Sequence, residues 1–243
     1  MKYIYGPVRS RRLGLSLGVS LAPYKICNFD CVYCQLGRTK EKACERNEYA
    51  KVNEVVGELR NWFANNPEEA KSLDYITISG LGEPTLNTKI LDAIEEIRKI
   101  TNLKIAVITN ASLLNNAQVR YALLGVDLIV PSLNAVNHEA FTKINRPHES
   151  VKVEDVISGL IDLRREFKRE IWLEIMLLGG VNDGLRQIKE LKKVVEDIGF
   201  NKIQLNSPVR TSHSAVGGVM VKAASQKKLE KIKEILGDKC EIV

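Results

Sequence analysis

Short apolar, β-branched runs alternate along this chain with longer segments of helical period, and that alternation restricts the fold more than any other feature. The runs fall at 15–21, 75–79, 104–109, 128–132, 171–177 and 202–205. Between them, Val52, Val55, Val56, Leu59, Trp62 and Phe63 share one helical face, and Ile90, Leu91, Ile94 and Ile97 share another. Ile188, Leu191, Val194, Val195 and Ile198 form a third, with Asn182-Asp183 as its expected N-terminal cap; Leu229, Ile232, Ile235 and Leu236 make a last helix. Trp62 and Trp172 read as core. Strands separated by helices pair in parallel through right-handed crossovers. The near-continuous apolar runs ITIS, IAVIT and LIVPS suit strands covered on both faces. An open doubly wound sheet and an incomplete barrel of βα units both satisfy this pattern. Six units are too few for the closed eight-stranded barrel.

The length of 243 residues suits one domain: an N-terminal extension at 1–14, a six-unit core at 15–207, and a substrate-end loop and C-terminal helix at 208–243. With 44% hydrophobic and 27% charged residues, a disordered chain, a collagen-like repeat and a disulfide-packed miniprotein are excluded. No apolar run approaches membrane-spanning length, and the first residues lack the pattern of a signal peptide, so the expected location is the cytoplasm, away from any membrane. The net charge is 36 minus 30, or +6, with Lys2, Arg9, Arg11 and Arg12 among the first twelve residues. Such a balance permits a polyanionic partner and equally suits a solvated lysine-rich surface.

In parallel βα architectures ligands gather at the carboxyl ends of the strands. Those ends are polar here. A cysteine loop follows the first strand and the segment 80–87 the second. The third ends in Thr109-Asn110, and Ser132 and Asn134 follow the fourth; Glu174, Met176 and Gly179-Gly180 belong to the fifth, and Gln204, Asn206 and Ser207 to the sixth. Of five cysteines (Cys27, Cys31, Cys34, Cys44 and Cys240), three lie within eight residues, which in a reducing compartment points to metal or redox chemistry before disulfides. Three thiolates this close can wrap one compact metal centre. Cys44, ten residues past Cys34, is available as a fourth ligand; without it one metal position stays open for substrate chemistry. Structural zinc wants four nitrogen or sulfur ligands, and His138, His148 and His213 are far apart in the chain. Asn28 and Asp30 are expected to shape the loop.

The Cys27-x3-Cys31-x2-Cys34 spacing, with Tyr33 before the last cysteine and the loop at the end of a first strand, resembles the radical S-adenosylmethionine (SAM) superfamily. The resemblance covers nearly the whole chain and includes Gly82-Glu83-Pro84, Ser132 and Asn134, although the two glycines that usually precede the glutamate directly are here spaced as Gly80-Leu81-Gly82. It implies a partial (β/α)6 TIM-like barrel, a [4Fe–4S] cluster on Cys27, Cys31 and Cys34, and SAM on the fourth iron. Reductive cleavage of the sulfonium would then give a 5′-deoxyadenosyl radical that abstracts hydrogen from a substrate. The same resemblance assigns cofactor contacts to Gly82, to Glu83 (accepting from the methionine ammonium), to Ser132 and Asn134 (ribose or methionine carboxylate), and to Tyr33 and the Leu205–Asn206 backbone (adenine). A reductant protein such as ferredoxin or flavodoxin is implied as a partner.

More narrowly, the opening from Tyr5 to Gly14, the stretch around the cysteines, Ile144-Asn145-Arg146-Pro147 and the segment 174–183 resemble a group of uncharacterised Fe–S oxidoreductases placed near the tRNA wyosine synthases. Two departures stand out: no cysteine precedes Cys27 to hold a second cluster, and 211–218 replaces a Pro-rich stretch. An RNA substrate, namely a tRNA nucleoside, is one expectation. A glycyl-radical-enzyme activase acting on a protein and a small-molecule radical enzyme are alternatives. A non-catalytic Fe–S or zinc-binding module is the alternative of a different class. Some RNA-methylating radical enzymes with a Gly-Met-Gly-Glu-Pro motif pass a methyl group through two further cysteines, which the echo at 80–84 would assign to Cys44 and Cys240; otherwise these are ordinary thiols. His213 is read as a proton donor or a surface histidine, and Arg146 as a carboxylate contact or a structural ion pair.

Overall fold

The computed structural model describes residues 1–10, 12–43, 45–208 and 221–243. Cys44, His213 and the segment 211–218 lie outside the described residues. Eight strands follow chain order in one sheet: β1 (Ile4–Ser10), β2 (Gly14–Ser20), β3 (Tyr75–Ser79), β4 (Lys104–Thr109), β5 (Leu128–Pro131), β6 (Glu170–Met176), β7 (Lys202–Asn206) and β8 (Cys240–Ile242). The first pair is antiparallel and every later pair parallel. No pairing joins β8 to β1 among the described residues, so the barrel is open. It is an α/β fold with the incomplete TIM-like curvature that the sequence resemblance implied.

The helices are α1 (Val52–Asn65), α2 (Pro67–Ala70), α3 (Ile90–Ile100), α4 (Ala117–Leu123), α5 (His138–Asn145), α6 (Val153–Glu166), α7 (Leu185–Ile198) and α8 (Gln226–Leu236). The main core lies between them and the outer face of the sheet. Val55, Leu59, Ile94, Ile97, Leu160, Leu163, Ile188 and Leu191 meet Ile76, Ile78, Ile105, Val107, Ile129, Ile171, Leu173 and Ile175 there. Each such aliphatic side chain contributes about 1.5–3 kcal/mol on burial. Strand alternation sends the other residues inward, where Ala106, Leu128 and Val130 form a second, smaller cluster with half-buried Tyr75, Ile108 and Trp172. Trp172 therefore packs inside the barrel, and Trp62 in the outer layer.

Two strands and one cap depart from the sequence expectation. The 1–14 stretch supplies β1, and the C-terminal stretch supplies β8, so two of the eight strands lie outside the six-unit core. The β1–β2 turn folds back under the barrel: Leu13 is 4% exposed and joins the inner cluster. Beside it the Arg12 guanidinium pairs with Glu174 of β6. Asn182 and Asp183 do not cap α7, which starts after Gly184 with no side-chain cap. Asn182 instead staples the β6–α7 loop, accepting from Leu178 N (2.8 Å) and donating to the carbonyls of Asn134 and Met176 (2.8 Å each). Asp183 accepts from Gly180 N and pairs with Lys228.

The ladder between β5 and β6 covers only Leu128–Glu170 and Ile129–Ile171, then resumes at a single Ser132–Glu174 bridge. Pro131, which has no N–H, pairs with Thr109 of β4, and Ser132 N donates to the Thr109 carbonyl (3.0 Å).

Behind the loop that follows β4, buried Arg120 donates to the Leu114 and Asn115 carbonyls (2.9 and 3.1 Å) and grips both oxygens of Glu166 (3.0 and 2.8 Å). Arg120→Ala strands those carbonyls and is expected to lower unfolding stability by about 2–3 kcal/mol, read as a shift of the urea midpoint at unchanged slope.

Candidate active site

The cysteine loop is laid across the carboxyl ends of β3, β4 and β5 as an irregular strand bonded along both edges. On one edge Ile26 N donates to Leu81 O (3.0 Å) and Glu83 N donates to Ile26 O (2.9 Å), forming a bridge between Ile26 and Gly82. On the other, Asp30 N reaches Asn145 O (3.1 Å), Val32 N reaches Ile144 O (2.9 Å) and His148 N reaches Asn28 O (2.7 Å). The 144–147 motif is thus the loop's second seat. Gly82 has φ +131°, and a Cβ there would stand 1.7 Å from the Ile26 carbonyl oxygen. Only glycine lets the two backbones approach this closely.

Asn28 and Asp30 shape the loop as expected. Asn28 donates to Ser112 Oγ (2.7 Å) and accepts from Asn110 Nδ2 (2.8 Å). Asp30 accepts from Thr39 N (2.7 Å) and lies 3.8 Å from both Arg38 and Arg146, so Arg146 makes a structural ion pair.

Cys27, Cys31 and Cys34 are each half-buried on this loop. Cys27 Sγ accepts from Phe29 N (3.4 Å) and Asn110 Nδ2 (3.6 Å), and Cys31 Sγ from Asn145 Nδ2 (3.4 Å). Burial pushes the Cys31 thiol up to about 11, with the neighbouring Cys34 adding to it. It pushes Cys27 higher, helped by the proximity of Cys31, Glu83 and Cys34. Thiolates here therefore need a compensating cation, while N–H donors already point at two of the sulfurs; both features suit an iron–sulfur cluster. Among the described residues no three His, Cys, Asp or Glu side chains converge to hold a single metal ion.

Glu83 is 4% exposed. One carboxylate oxygen accepts from Thr85 N (3.1 Å), Thr85 Oγ1 (2.6 Å) and Thr109 Oγ1 (2.6 Å), and the other from Asn110 N (2.7 Å). Burial raises its pKa despite these donors. The side chain thus caps the short 3-10 turn Pro84–Leu86 and ties β3 to β4, a scaffolding role that sequence spacing did not reveal.

Tyr33 receives Asn134 Nδ2 on its hydroxyl (2.8 Å), and burial with Cys31 and Glu174 nearby holds its pKa well above the phenol range. Asn134 Oδ1 accepts from Met176 N (2.7 Å). Ser132 N donates to Thr109 O (3.0 Å), which sets this residue beside the end of β4. The Leu205 side chain is fully buried in the outer layer and its carbonyl accepts from Val243 N (3.1 Å) beyond β8. The Asn206 carbonyl accepts from Leu177 N (2.8 Å), and its amide reaches Glu174 (3.5 Å). The backbone expected to meet adenine is thus engaged in sheet contacts that β8 and the β6–α7 loop provide.

The structure forms two hydrogen-bonded groups, Cys27 and Glu83 joined through Asn110, and Tyr33 with Asn134 beside Cys31, and separates Cys240 from both. Cys240 pairs with Ile203 early on β7 and sits in the outer core, where burial pushes its thiol up to about 12. It therefore lies near the amino ends of the strands, remote from the loop. Sequence reading missed Asn145, Ser112 and Asn182 as supporting residues; a buried asparagine inside a Pro-terminated loop motif was the signal available for Asn145. Its Oδ1 is buried and unpartnered among the described residues.

A cysteine loop spanning the strand ends of an open parallel βα barrel defines the class: α/β barrels that carry sulfur-ligated cofactor chemistry at the carboxyl rim. Residues 21–195 match the radical SAM superfamily. The chain is 37% identical over 241 residues to a protein named GTPase Obg from Brachyspira hyodysenteriae, covering 99% of this chain and 34% of that one. It is 35% identical over 209 residues to a UPF0026 protein of Synechocystis sp., covering 85% and 76% respectively. It is 25% identical over 180 residues to the probable dual-specificity RNA methyltransferase RlmN of Streptococcus sanguinis, covering 71% and 48%. It thus spans about a third of the Brachyspira protein and about half of the methyltransferase. The structure of TYW1 with a lysine–pyruvate adduct bound superposes with a TM-score of 0.65 at 16% identity, covering 91% and 72%. The chain belongs to the radical SAM superfamily, whose enzymes use a [4Fe–4S] cluster and SAM and draw their electron from an external reductant. No helix among the described residues is long and apolar enough to cross a membrane.

Proposed function

We propose that this chain is a radical SAM enzyme that removes a hydrogen atom from a nucleoside of an RNA substrate. Cys27, Cys31 and Cys34 would hold the cluster. The rim formed by Gly82, Glu83, Ser132, Asn134 and Asn206 would hold SAM, with Tyr33 closing the side next to Cys31. When bound, these two groups supply the electron and the carbon radical that the reaction needs. Asn110 and Asn145 would donate to the ligating sulfurs and lower their charge density. Glu83 and Asn28 would fix Asn110 in that position. The inner face of the barrel, capped beneath by Leu13, would keep water from the reacting atoms.

The observation that carries this reading is the pair of amide N–H groups aimed at Cys27 and Cys31 in a loop seated on both edges. The RNA substrate is supported by the net charge of +6 and by the similarity to an RNA methyltransferase.

The test is anaerobic reconstitution with iron and sulfide, followed by dithionite and SAM. The expected product is 5′-deoxyadenosine. RNA from cells lacking the protein should then show a nucleoside of altered mass after incubation with enzyme. Purification with zinc and no 5′-deoxyadenosine would overturn the enzyme reading. An unaltered RNA pool beside active SAM cleavage would overturn the substrate.

A further inference from the structure

We propose that Tyr5 and Ser79, on the inner wall of the barrel, decide which substrate fits: they form the hydroxyl end of a cavity that takes one neutral planar heterocycle, a single base of the RNA, inserted from the rim. The inference rests on the RNA reading above. It goes further by naming the part of the RNA that enters and two residues that read it, one of them on a strand outside the six-unit core.

The cavity lies between the first hairpin and β3, has a volume of about 160 Å³ and is lined in part by Tyr5, Ser10, Arg12, Ser16, Thr77 and Ser79. Strand alternation puts Ser16 and Gly18 of β2 on the same inner face as Thr77 and Ser79 of β3. Ser16 and Thr77 are each 5% exposed and bond each other, so they back the wall lower down. Tyr5 and Ser79 bond each other nearer the rim, and Tyr5 is 37% exposed, so this is the pair a guest can reach. Each hydroxyl can donate and accept. The chain keeps room for the phenol: a Cβ at Gly18 would stand 2.1 Å from the Tyr5 ring, and one at Gly80 3.1 Å from it. Gly80 opens the turn whose Gly82 seats the cysteine loop on Ile26. The hydroxyl pair thus stands against the turn on which that loop rests.

The remaining walls restrict the guest. Among the described residues lining the cavity Arg12 is the one charge, and Glu174 already matches it, so nothing here calls for a phosphate or a carboxylate. Leu13 and Ile108 complete the lining and continue into Ala106, Leu128 and Val130. A guest with apolar faces, a polar edge and no net charge suits these walls, and a nucleobase has all three. The volume falls below the roughly 300–1,000 Å³ that houses a whole small ligand. One ring system therefore enters while sugar and phosphates stay outside, and the base has to leave its stack, as bases do in enzymes that modify them.

The experiment uses the reconstituted full chain, dithionite, SAM and RNA from cells lacking the protein. Tyr5→Phe and Ser79→Ala each delete one hydroxyl. Formation of the altered nucleoside at saturating RNA should fall about tenfold in each variant, the effect of losing one well-placed hydrogen bond and leaving its partner unmet. The 5′-deoxyadenosine formed per altered nucleoside should rise about tenfold, a change that a purely structural role would not produce. The half-saturating RNA concentration should stay within about twofold, because phosphate contacts outside the cavity dominate affinity. Parental product formation in both variants would overturn the inference and leave the RNA substrate standing. A raised half-saturating concentration at unchanged maximal rate would assign the pair to RNA docking outside the cavity and overturn it as well. An RNA pool left unaltered by the parent protein would sink the substrate reading first, and this inference with it.

Discussion

Cys31→Ala is expected to abolish iron incorporation on anaerobic reconstitution and to bring 5′-deoxyadenosine formation below detection, while leaving the fold intact. Cys31 sits in the middle of the loop, its sulfur facing the Asn145 amide and its neighbours Phe29 and Val32 anchored in the core. Removing it takes away the central thiolate, and two thiolates cannot hold a cube of four irons. The side chain is only half-buried, so the expected stability change is within about 1–2 kcal/mol. Iron and sulfide content, visible absorption and the denaturation midpoint together separate loss of the cofactor from loss of the fold. Cys240→Ala is the matched control: this thiol lies in the outer core near the amino ends of the strands, so iron content and turnover should stay at parental values. Equal iron in Cys31→Ala and the parent would show that the cluster is held elsewhere.

Gly82→Ala is expected to have the second-largest effect, through the backbone. A methyl group at this position collides with the Ile26 carbonyl at 1.7 Å, and the residue sits at φ +131°. Neither the β3–α3 turn nor the cysteine loop can give way without breaking the bonds between Ile26, Leu81 and Glu83. Strain and two broken hydrogen bonds together cost roughly 3–5 kcal/mol. Because Cys27 is the next residue after Ile26, the damage should also appear as lower iron occupancy. Gly180→Ala tests whether any left-handed glycine would do the same. It has φ +76° with nothing within 4 Å of a built Cβ, so its cost should be near 1 kcal/mol. Comparable denaturation midpoints for the two variants would mean that the loop is not seated on Gly82 as described.

β3, β4 and β5 were legible because they are buried on both faces and read as near-continuous apolar runs, and β6 because its apolar residues alternate with half-buried or exposed ones. β1 was not: Ile4–Ser10 holds Gly6, Pro7 and Arg9, and its outer side is exposed, so no run or alternation marks it. β8 has three residues and pairs only with β7, below the length at which periodicity carries information. The three cysteines stood out in the sequence because they lie within eight residues of one another, a purely local feature. Glu83 was legible as important, yet its partners Thr109 and Asn110 lie on another strand, and contacts across crossovers leave no trace in spacing. Asn145 illustrates the same limit, since it meets a cysteine 114 positions earlier. The cap of α7 failed for a related reason: Asn182 has stronger claims on it from β6 and the loop after β5 than from the helix below.

The turn between β1 and β2 has a consequence for traffic through the molecule. Leu13 acts as a stopper and Arg12, paired with Glu174 of β6, as its latch, both residues coming from the first fourteen and both placed on the side away from the sulfur atoms. Among the described residues the floor of the barrel is thereby closed, so a guest molecule would have to come and go at the upper rim or through the unzipped flank.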